Sequence, residues 1–122
     1  MSDKTRKIVS WVLTGLVGLG LVASALGKLT GGKQVTEGFE HFRLTPYIVT
    51  IGVIELICAV LFLVPKTSSI GTLLVTGYFG GAIVTHLSAG EPIQIAPAIV
   101  LGLLAWVANY LKNPNMFESL KK

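Results

Sequence analysis

Four long apolar stretches constrain the fold of this chain more than any other feature of its sequence. Each has about 18 to 20 residues, and a helix of about 20 residues spans the hydrocarbon core of a bilayer. Backbone groups in lipid must be satisfied within helices or a closed barrel, and these stretches lack the alternation of barrel strands. The sequence therefore predicts an all-α protein with four transmembrane helices, at about residues 8–26, 47–64, 69–88 and 93–111.

The composition supports lipid as the main solvent of the chain. The 122 residues are enough for one domain, so a single membrane domain over residues 1–122 is expected. Only 13% of the residues are charged and 52% are hydrophobic, whereas a soluble domain has about 25% charged residues. A small soluble protein also needs many polar groups to cover its surface, and this chain has too few.

The basic residues cluster at the ends of the apolar stretches, which predicts the orientation of the chain. About seven lie on the side of the termini, where Lys4, Arg6 and Lys7 precede the first stretch. The positive-inside rule then places both termini in the cytoplasm. This first stretch is longer than the apolar core of a signal peptide, so a retained span is expected. Charges arranged in this way do not indicate nucleic acid as a partner.

The predicted architecture is a four-helix bundle with an up-down-up-down path and one long connection. Within that connection, the segment at about residues 33–43 has Val35, Phe39 and Phe42 on one helical face. A short amphipathic helix is therefore expected between the first two spans. It would lie on the membrane surface or fold over the mouth of the bundle as a lid.

Small residues and a proline add two local expectations. Gly77 and Gly81 share one face of the third span, and small residues at this spacing let helices approach closely in lipid. Pro97 lies inside the fourth predicted span and would leave the carbonyl of Ile93 without its helical partner. A bend is expected there.

One glutamate interrupts the second apolar stretch, IGVIELICAVLFLV. Glu55 would lie about 12 Å along its helix, near the middle of the bilayer, where a charge that faces lipid costs at least a few kcal/mol. Its neighbours on the helix, Gly52, Cys58 and Ala59 among them, are mostly small. Glu55 is therefore expected inside the bundle, either neutral or with a partner.

His86 in the third span is the partner that the sequence suggests for Glu55. In an antiparallel pair the two would differ in depth by about one turn, or about 5 Å, and Tyr78 and Lys28 could reach the same region. These four residues predict a polar pocket that would suit proton-coupled chemistry or the recognition of a carbonyl or quinol head group. The alternative is that the same side chains only hold helices together.

Several kinds of chemistry have no support in the sequence. Two histidines without an H-x-x-H pattern do not predict a metal centre. The single cysteine, Cys58, has no partner for a disulfide within the chain. The sequence also has no phosphate-binding loop between a strand and a helix.

Three segments resemble the DoxX-like proteins: SALGKLTGGKQVTEGFEHFRLTPY, GVIELICAVLFLVPKTSSIGTLL and GYFGGAIVTHLSAGEP. The resemblance covers about Gly15 to Tyr110, and it is carried by Lys28, Glu55, Pro65, Tyr78, the Gly80–Gly81 pair and His86. It implies a small four-span protein of the bacterial inner membrane. The family takes its name from a subunit of an archaeal thiosulfate:quinone oxidoreductase, and some relatives are linked to oxidoreductase complexes. The resemblance implies no catalytic residue.

The sequence leaves three functional classes open and does not decide whether the chain is an enzyme. The first is a membrane protein whose pocket binds a small amphipathic ligand, a quinone or a lipid, with any redox role as a subunit. The second is a structural or assembly subunit that binds partner membrane helices or forms a homo-oligomer. The third is a proton-coupled carrier, for which four spans without an internal repeat offer little room.

Overall fold

Five α-helices and three short 3₁₀ turns form the part of the chain that the structure describes. A computed structural model describes residues 2–116 and residue 118. The helices are α1 (Asp3–Thr30), α2 (Lys33–His41), α3 (Ile48–Leu63), α4 (Ser68–Ser88) and α5 (Ala96–Lys112). The 3₁₀ turns Thr45–Tyr47, Pro65–Thr67 and Pro92–Ile95 precede α3, α4 and α5. With these turns included, α1, α3, α4 and α5 are long and apolar enough to cross a membrane, so the predicted all-α class with four spans is confirmed.

The first helix is longer than the apolar stretch that predicted it, because both of its ends are capped. At its start, the Ser2 hydroxyl accepts a hydrogen bond from the Thr5 amide at 3.2 Å, which satisfies one of the free amides of the first turn. At its end, Gly31 has a φ of 72° and its amide donates to the carbonyl of Gly27. Glycine adopts this left-handed conformation without steric cost. The helix therefore carries Lys28 beyond the apolar stretch as part of a regular last turn.

The expectation at Pro97 is wrong, because the last long helix begins later than the apolar stretch suggested. α5 starts at Ala96, so Pro97 lies in the first turn, where its missing N–H costs no helical hydrogen bond. The carbonyl of Ile93 belongs to the preceding 3₁₀ turn and accepts a hydrogen bond from the Ala96 amide. It is therefore not the unpaired carbonyl that the sequence predicted.

The long helices pack in a ring in which α1 and α4 each contact both α3 and α5. A Cβ at Gly52 of α3 would lie 3.0 Å from the Cβ of Lys28, near the end of α1. Near the end of α3, the side chain of Leu63 lies against Gly18 of α1. These contacts give α1 and α3 opposite directions. Near the start of α1, the Ser10 hydroxyl donates to the carbonyl of Ala108 at 2.9 Å. This hydrogen bond joins the start of α1 to the end of α5.

The closest backbone approach occurs at a glycine other than the two that the sequence singled out. A Cβ on Gly71 of α4 would collide with the backbone of Phe62 in α3. By contrast, a Cβ on Gly77 or Gly81 would meet nothing within 4 Å. The expected close helix contact at Gly77 and Gly81 is therefore not formed within this chain, and both residues are exposed.

The interior of the ring is filled by small and medium side chains, and the outside is apolar. Val17, Phe62, Val75 and Ala105 are completely buried between the helices. Large apolar side chains face outward from all four long helices, as expected where the surrounding solvent is lipid. Packing between such helices relies on van der Waals contact and hydrogen bonds rather than on exclusion of water.

Candidate functional site

A cavity of about 490 Å³ lies at the end of the bundle where α1 ends and α4 ends. We call it the Tyr78 cavity. Its volume is within the range of about 300 to 1,000 Å³ that is usual for small-molecule sites. Its walls come from α1, α2, α3, α4 and the residue Leu44 after α2. The lining residues are Lys28, Phe39, Phe42, Leu44, Ile51, Ile54, Gly77, Tyr78, Gly81, Ala82, Thr85 and His86.

Behind the wall of this cavity, Glu55 is buried in an ion pair with Lys28. The ammonium nitrogen of Lys28 lies 2.7 Å from Glu55 Oε1 and also donates to the hydroxyl of Ser24 at 2.7 Å. Ser24 in turn donates to Glu55 Oε1 at 3.1 Å. The Glu55 side chain is only 2% exposed and that of Lys28 is 12% exposed. The buried carboxylate thus has the partner that its depth requires, and the partner is Lys28.

The positions of Gly52, Ser24 and Lys28 in their helices explain why this pair forms. Gly52 lies one turn before Glu55, and the absence of a Cβ there lets α3 approach α1 at Lys28 and Leu29. Ser24 and Lys28 are four residues apart in α1, so they lie on the same face. The hydroxyl and the ammonium group therefore reach the Glu55 carboxylate together.

Tyr78 extends the polar cluster from α1 and α3 to α4. Its ring centroid lies 5.9 Å from the ammonium nitrogen of Lys28, at the outer limit of a cation–π contact. The Tyr78 hydroxyl also interacts electrostatically with the carboxylate of Glu55. Three of the four long helices therefore contribute to one polar cluster at the cavity wall.

His86 has a different carboxylate partner from the one that the sequence suggested. Its Nδ1 lies 3.1 Å from Glu91 Oε1, and the other oxygen of Glu91 lies 3.6 Å from Nε2 of His41 in α2. A direct bond between Glu55 and His86 is not among the hydrogen bonds of the described residues. Lys28 reaches Glu55 from the neighbouring helix, whereas Glu91 lies only five residues after His86, beyond the left-handed turn at Gly90.

The short helix α2 covers one side of the cavity. Phe39 and Phe42 line the cavity, and the Phe42 ring meets the His86 ring edge-on with centroids 5.0 Å apart. At the start of the same helix, Val35 packs toward Gly27 of α1. The three residues that the spacing placed on one face thus point toward the bundle. The location of α2 relative to a membrane surface stays a prediction.

Of the four residues predicted for the pocket, Lys28, Tyr78 and His86 line the cavity, and Glu55 lies behind Lys28. Ser24 was not predicted as a partner of both charges, although its spacing of four from Lys28 was a usable signal. Gly77 and Gly81 were predicted only as packing residues, whereas they form a wall without side chains.

The arrangement combines an apolar chamber with a few polar groups. Lys28 offers N–H donors, the Tyr78 hydroxyl can donate or accept, and the His86 ring has one nitrogen besides the one at Glu91. Among residues 2–116 and 118, no group of three or more His, Cys, Asp or Glu side chains is placed to hold a metal ion. Cys58 is a free, buried thiol.

Comparisons with known proteins place the chain in a family. No curated protein and no solved structure matches it. The family model for the DoxX-like family matches residues 12–108. Together with four apolar helices, this match indicates a multi-pass membrane protein. Since the matched region covers most of the sequence and includes every residue of the polar cluster, the chain belongs to the DoxX-like family.

Proposed function

We propose that this protein is a bacterial inner-membrane protein that binds a small amphipathic molecule, a quinone or a lipid, in the Tyr78 cavity. The observation that carries this proposal is the combination of a largely apolar chamber with Lys28, Tyr78 and His86 on its wall. Ligand sites typically have mostly apolar walls and a few well-placed polar groups. The carbonyl oxygen of a quinone or of a lipid ester is an acceptor that matches these donors.

The ion pair behind the wall holds the Lys28 ammonium group in one position. Glu55 and Ser24 both hold the Lys28 nitrogen, and Gly52 lets α3 pack against its stem. A side chain held in this way loses little conformational freedom when a ligand binds, which favours affinity. Glu55 would then act as a positioning residue for Lys28 and not as a direct ligand contact.

The apolar part of the ligand would lie among Ile51, Ile54 and the two glycines of α4. Gly77 and Gly81 line the cavity and leave open space where side chains would otherwise stand. Because both glycines lie in a helix able to cross a membrane, an acyl or isoprenoid chain could pass there from the surrounding lipid. Phe39 of α2 and Phe42, the residue that follows α2, would cover the head group from the side of the loops.

The proposal also includes the orientation of the protein in the membrane and its redox context. The excess of basic residues at the end where α1 begins and α5 ends favours cytoplasmic termini. The Tyr78 cavity would then lie in the leaflet away from the cytoplasm. A quinone bound there would serve as the substrate of a partner subunit in the membrane, which is the context that the DoxX-like resemblance implies.

Filling the cavity tests the proposal with a matched control on the same helix. We would compare the wild-type protein with Gly81→Leu and Gly80→Leu after gentle extraction, and measure co-purified quinones and lipids by mass spectrometry. A Cβ at either position meets nothing within 4 Å, but only Gly81 lines the cavity. We expect Gly81→Leu to lose most of a molecule that the wild-type protein and Gly80→Leu retain. Equal retention by all three would refute the cavity as the binding site.

A second candidate function rests on the same exposed glycines. Gly77 and Gly81 lie one turn apart with no neighbour within 4 Å of either Cβ position, and small residues at this spacing often form contacts between membrane helices. The protein would then be a structural or assembly subunit whose α4 binds a partner helix or a second copy. Crosslinking in native membranes discriminates the two, because Gly81→Leu would abolish a stoichiometric crosslink and leave bound small molecules unchanged.

A further inference from the structure

A second cavity lies at the opposite end of the bundle, where α1 begins, α5 ends and the turn between α3 and α4 is placed. We call it the Lys112 cavity. It has a volume of about 340 Å³ and does not share a residue with the Tyr78 cavity. Its lining residues are Arg6, Lys7, Ser10, Trp11, Pro65, Ser68, Leu111, Lys112 and Asn113.

The ammonium group of Lys112 lacks an acceptor in this cavity. Its nitrogen is buried and has no hydrogen-bond partner within the described part of the chain. It lies 4.5 Å from the ring centroid of Trp11 and 5.6 Å from that of Phe62. Aromatic faces attract a cation, but they do not replace the strong acceptors that an ammonium group has in water. A buried cation without acceptors is unfavourable, so this position favours an anion.

Arg6 adds a second unsatisfied donor to the same cavity. Its Nε is also buried without a hydrogen-bond partner among residues 2–116 and 118. Its Nη2 lies 3.4 Å from Asp3 Oδ1, but the Asp3 side chain is 88% exposed, and such surface pairs contribute little. The hydrogen-bonding capacity of Arg6 Nε is therefore unused, although Arg6 lines the cavity.

The net charge of the cavity wall is positive. Arg6, Lys7 and Lys112 line it, and no aspartate or glutamate is among its lining residues. The neutral polar residues of the wall are already engaged. Ser10 donates to the Ala108 carbonyl, Ser68 donates to Pro65 and Asn109, and Asn113 donates to Asn109. The available groups are thus cationic donors, which phosphate oxygens satisfy well.

We propose that the Lys112 cavity binds the phosphate group of an anionic phospholipid. Lys112 and the Nε edge of Arg6 donate to the phosphate oxygens, and Lys7 adds long-range attraction. The acyl chains run along the exposed apolar surface of α1 beside Trp11, where Ile8 and Val12 are 53% and 63% exposed. Basic pockets between membrane helices at the level of the head groups bind anionic lipids, and the ends of four apolar spans place this cavity at that level.

Lipid binding to the purified full chain tests this proposal. The delipidated protein receives phosphatidylglycerol, phosphatidylcholine or inorganic phosphate, and bound lipid is measured by native mass spectrometry. We expect retention of phosphatidylglycerol over phosphatidylcholine and about a tenfold loss of this preference in Lys112→Gln, because a charge-assisted hydrogen bond is removed. Lys66→Gln is the matched control, since Lys66 is exposed on the turn at the same end and does not line the cavity.

Further variants and the phosphate arm keep the test decisive. Lys112→Arg keeps the charge and should retain phosphatidylglycerol, and Arg6→Gln should weaken it even where Lys112→Gln proves unstable. The proposal fails if both lipids bind equally, or if Lys112→Gln and Lys66→Gln behave alike. Displacement of phosphatidylglycerol by inorganic phosphate would also overturn it, because the site would then be one for free phosphate. The comparison of Lys112→Gln with Lys66→Gln isolates this cavity, because a lipid bound in the Tyr78 cavity would contribute equally to both variants.

Discussion

Lys28 and Glu55 form a buried ion pair that joins α1 to α3, with 2.7 Å between the ammonium nitrogen and Glu55 Oε1. The pair lies beside the Tyr78 cavity and shares the hydroxyl of Ser24. A charge in the middle of an apolar span is costly by itself. The pair therefore has two effects, since it makes Glu55 compatible with its span and holds Lys28 at the cavity wall.

Removing one member of this pair should destabilise the bundle more than removing both. Lys28→Met leaves the Glu55 carboxylate buried without a cation, which should cost about 3 kcal/mol of unfolding free energy. The double variant Lys28→Met/Glu55→Leu replaces the pair with apolar side chains and should recover most of that loss. Reversible unfolding in mixed micelles with increasing dodecyl sulfate would measure the unfolding free energy of each variant.

The control for this cycle is Lys33→Met, a change at an exposed lysine at the start of α2. Its unfolding free energy should stay within about 0.5 kcal/mol of the wild-type value. Additive losses in the double variant would contradict the prediction, because they would show that the charges of Lys28 and Glu55 do not stabilise each other.

The architecture could be predicted from the sequence because bilayer thickness fixes the length of a span. The four apolar stretches became the four long helices, and the spacing of Val35, Phe39 and Phe42 predicted the additional helix between α1 and α3. The predicted helix ends were less accurate where a 3₁₀ turn or a glycine cap decides where the helix begins or ends. Two prolines five residues apart were compatible with a start of α5 before or after Pro92, and only the 3₁₀ turn at Pro92–Ile95 resolves this.

Which residues lie near the candidate site could be predicted better than which of them form pairs. Periodicity brings Lys28, Glu55, Tyr78 and His86 to similar depths, but the choice of partner depends on the rotation of each helix about its axis. Gly52 brings α3 close to Lys28, and the turn at Gly90 carries Glu91 back to His86. The approach at Gly52 is tertiary and has no local signal. The turn at Gly90 is a local helix cap, which a glycine after the last helical turn could have indicated.

Gly71 should tolerate a methyl group far less well than the other glycines of α4. In Gly71→Ala the new Cβ would collide with the backbone of Phe62, so α3 and α4 must separate, at a cost of about 2 kcal/mol. Gly80→Ala introduces the same atom into open space and should be neutral or stabilising by up to about 1 kcal/mol. Thermal unfolding in detergent would compare the two, and equal stability of both variants would contradict the close approach at Gly71.

Asn109 should be a stabilising polar residue between α4 and α5. It is 1% exposed, and its Oδ1 accepts hydrogen bonds from Ser68 at 3.2 Å and from Asn113 at 3.1 Å. Asn109→Ala removes these acceptors inside the bundle and should cost about 2 kcal/mol. Asn115→Ala, at an exposed turn after α5, is the control and should change little. A similar unfolding midpoint for both variants would argue against this role.

The helix α2 should cover the Tyr78 cavity only while its aromatic contact with α4 is present. No residue of α2 is buried. Phe42, the first residue after the helix, contacts the His86 ring edge-on. Aromatic pairs of this kind contribute about 0.5 to 1.5 kcal/mol. Phe42→Ala should therefore raise the opening equilibrium of α2, and its amide hydrogen exchange, by about fivefold.

Hydrogen exchange followed by mass spectrometry would measure the opening of α2 in the full chain. Peptides from α2 and from the buried part of α4 around Val75 are compared in the same sample. Exchange in α4 should not change, because Val75 lies in the core and away from the cavity wall. Glu37→Gln, a change at an exposed position of α2, should leave α2 exchange near the wild-type rate. If Phe42→Ala accelerates both helices equally, the residue stabilises the bundle as a whole and α2 is not an independently opening cover.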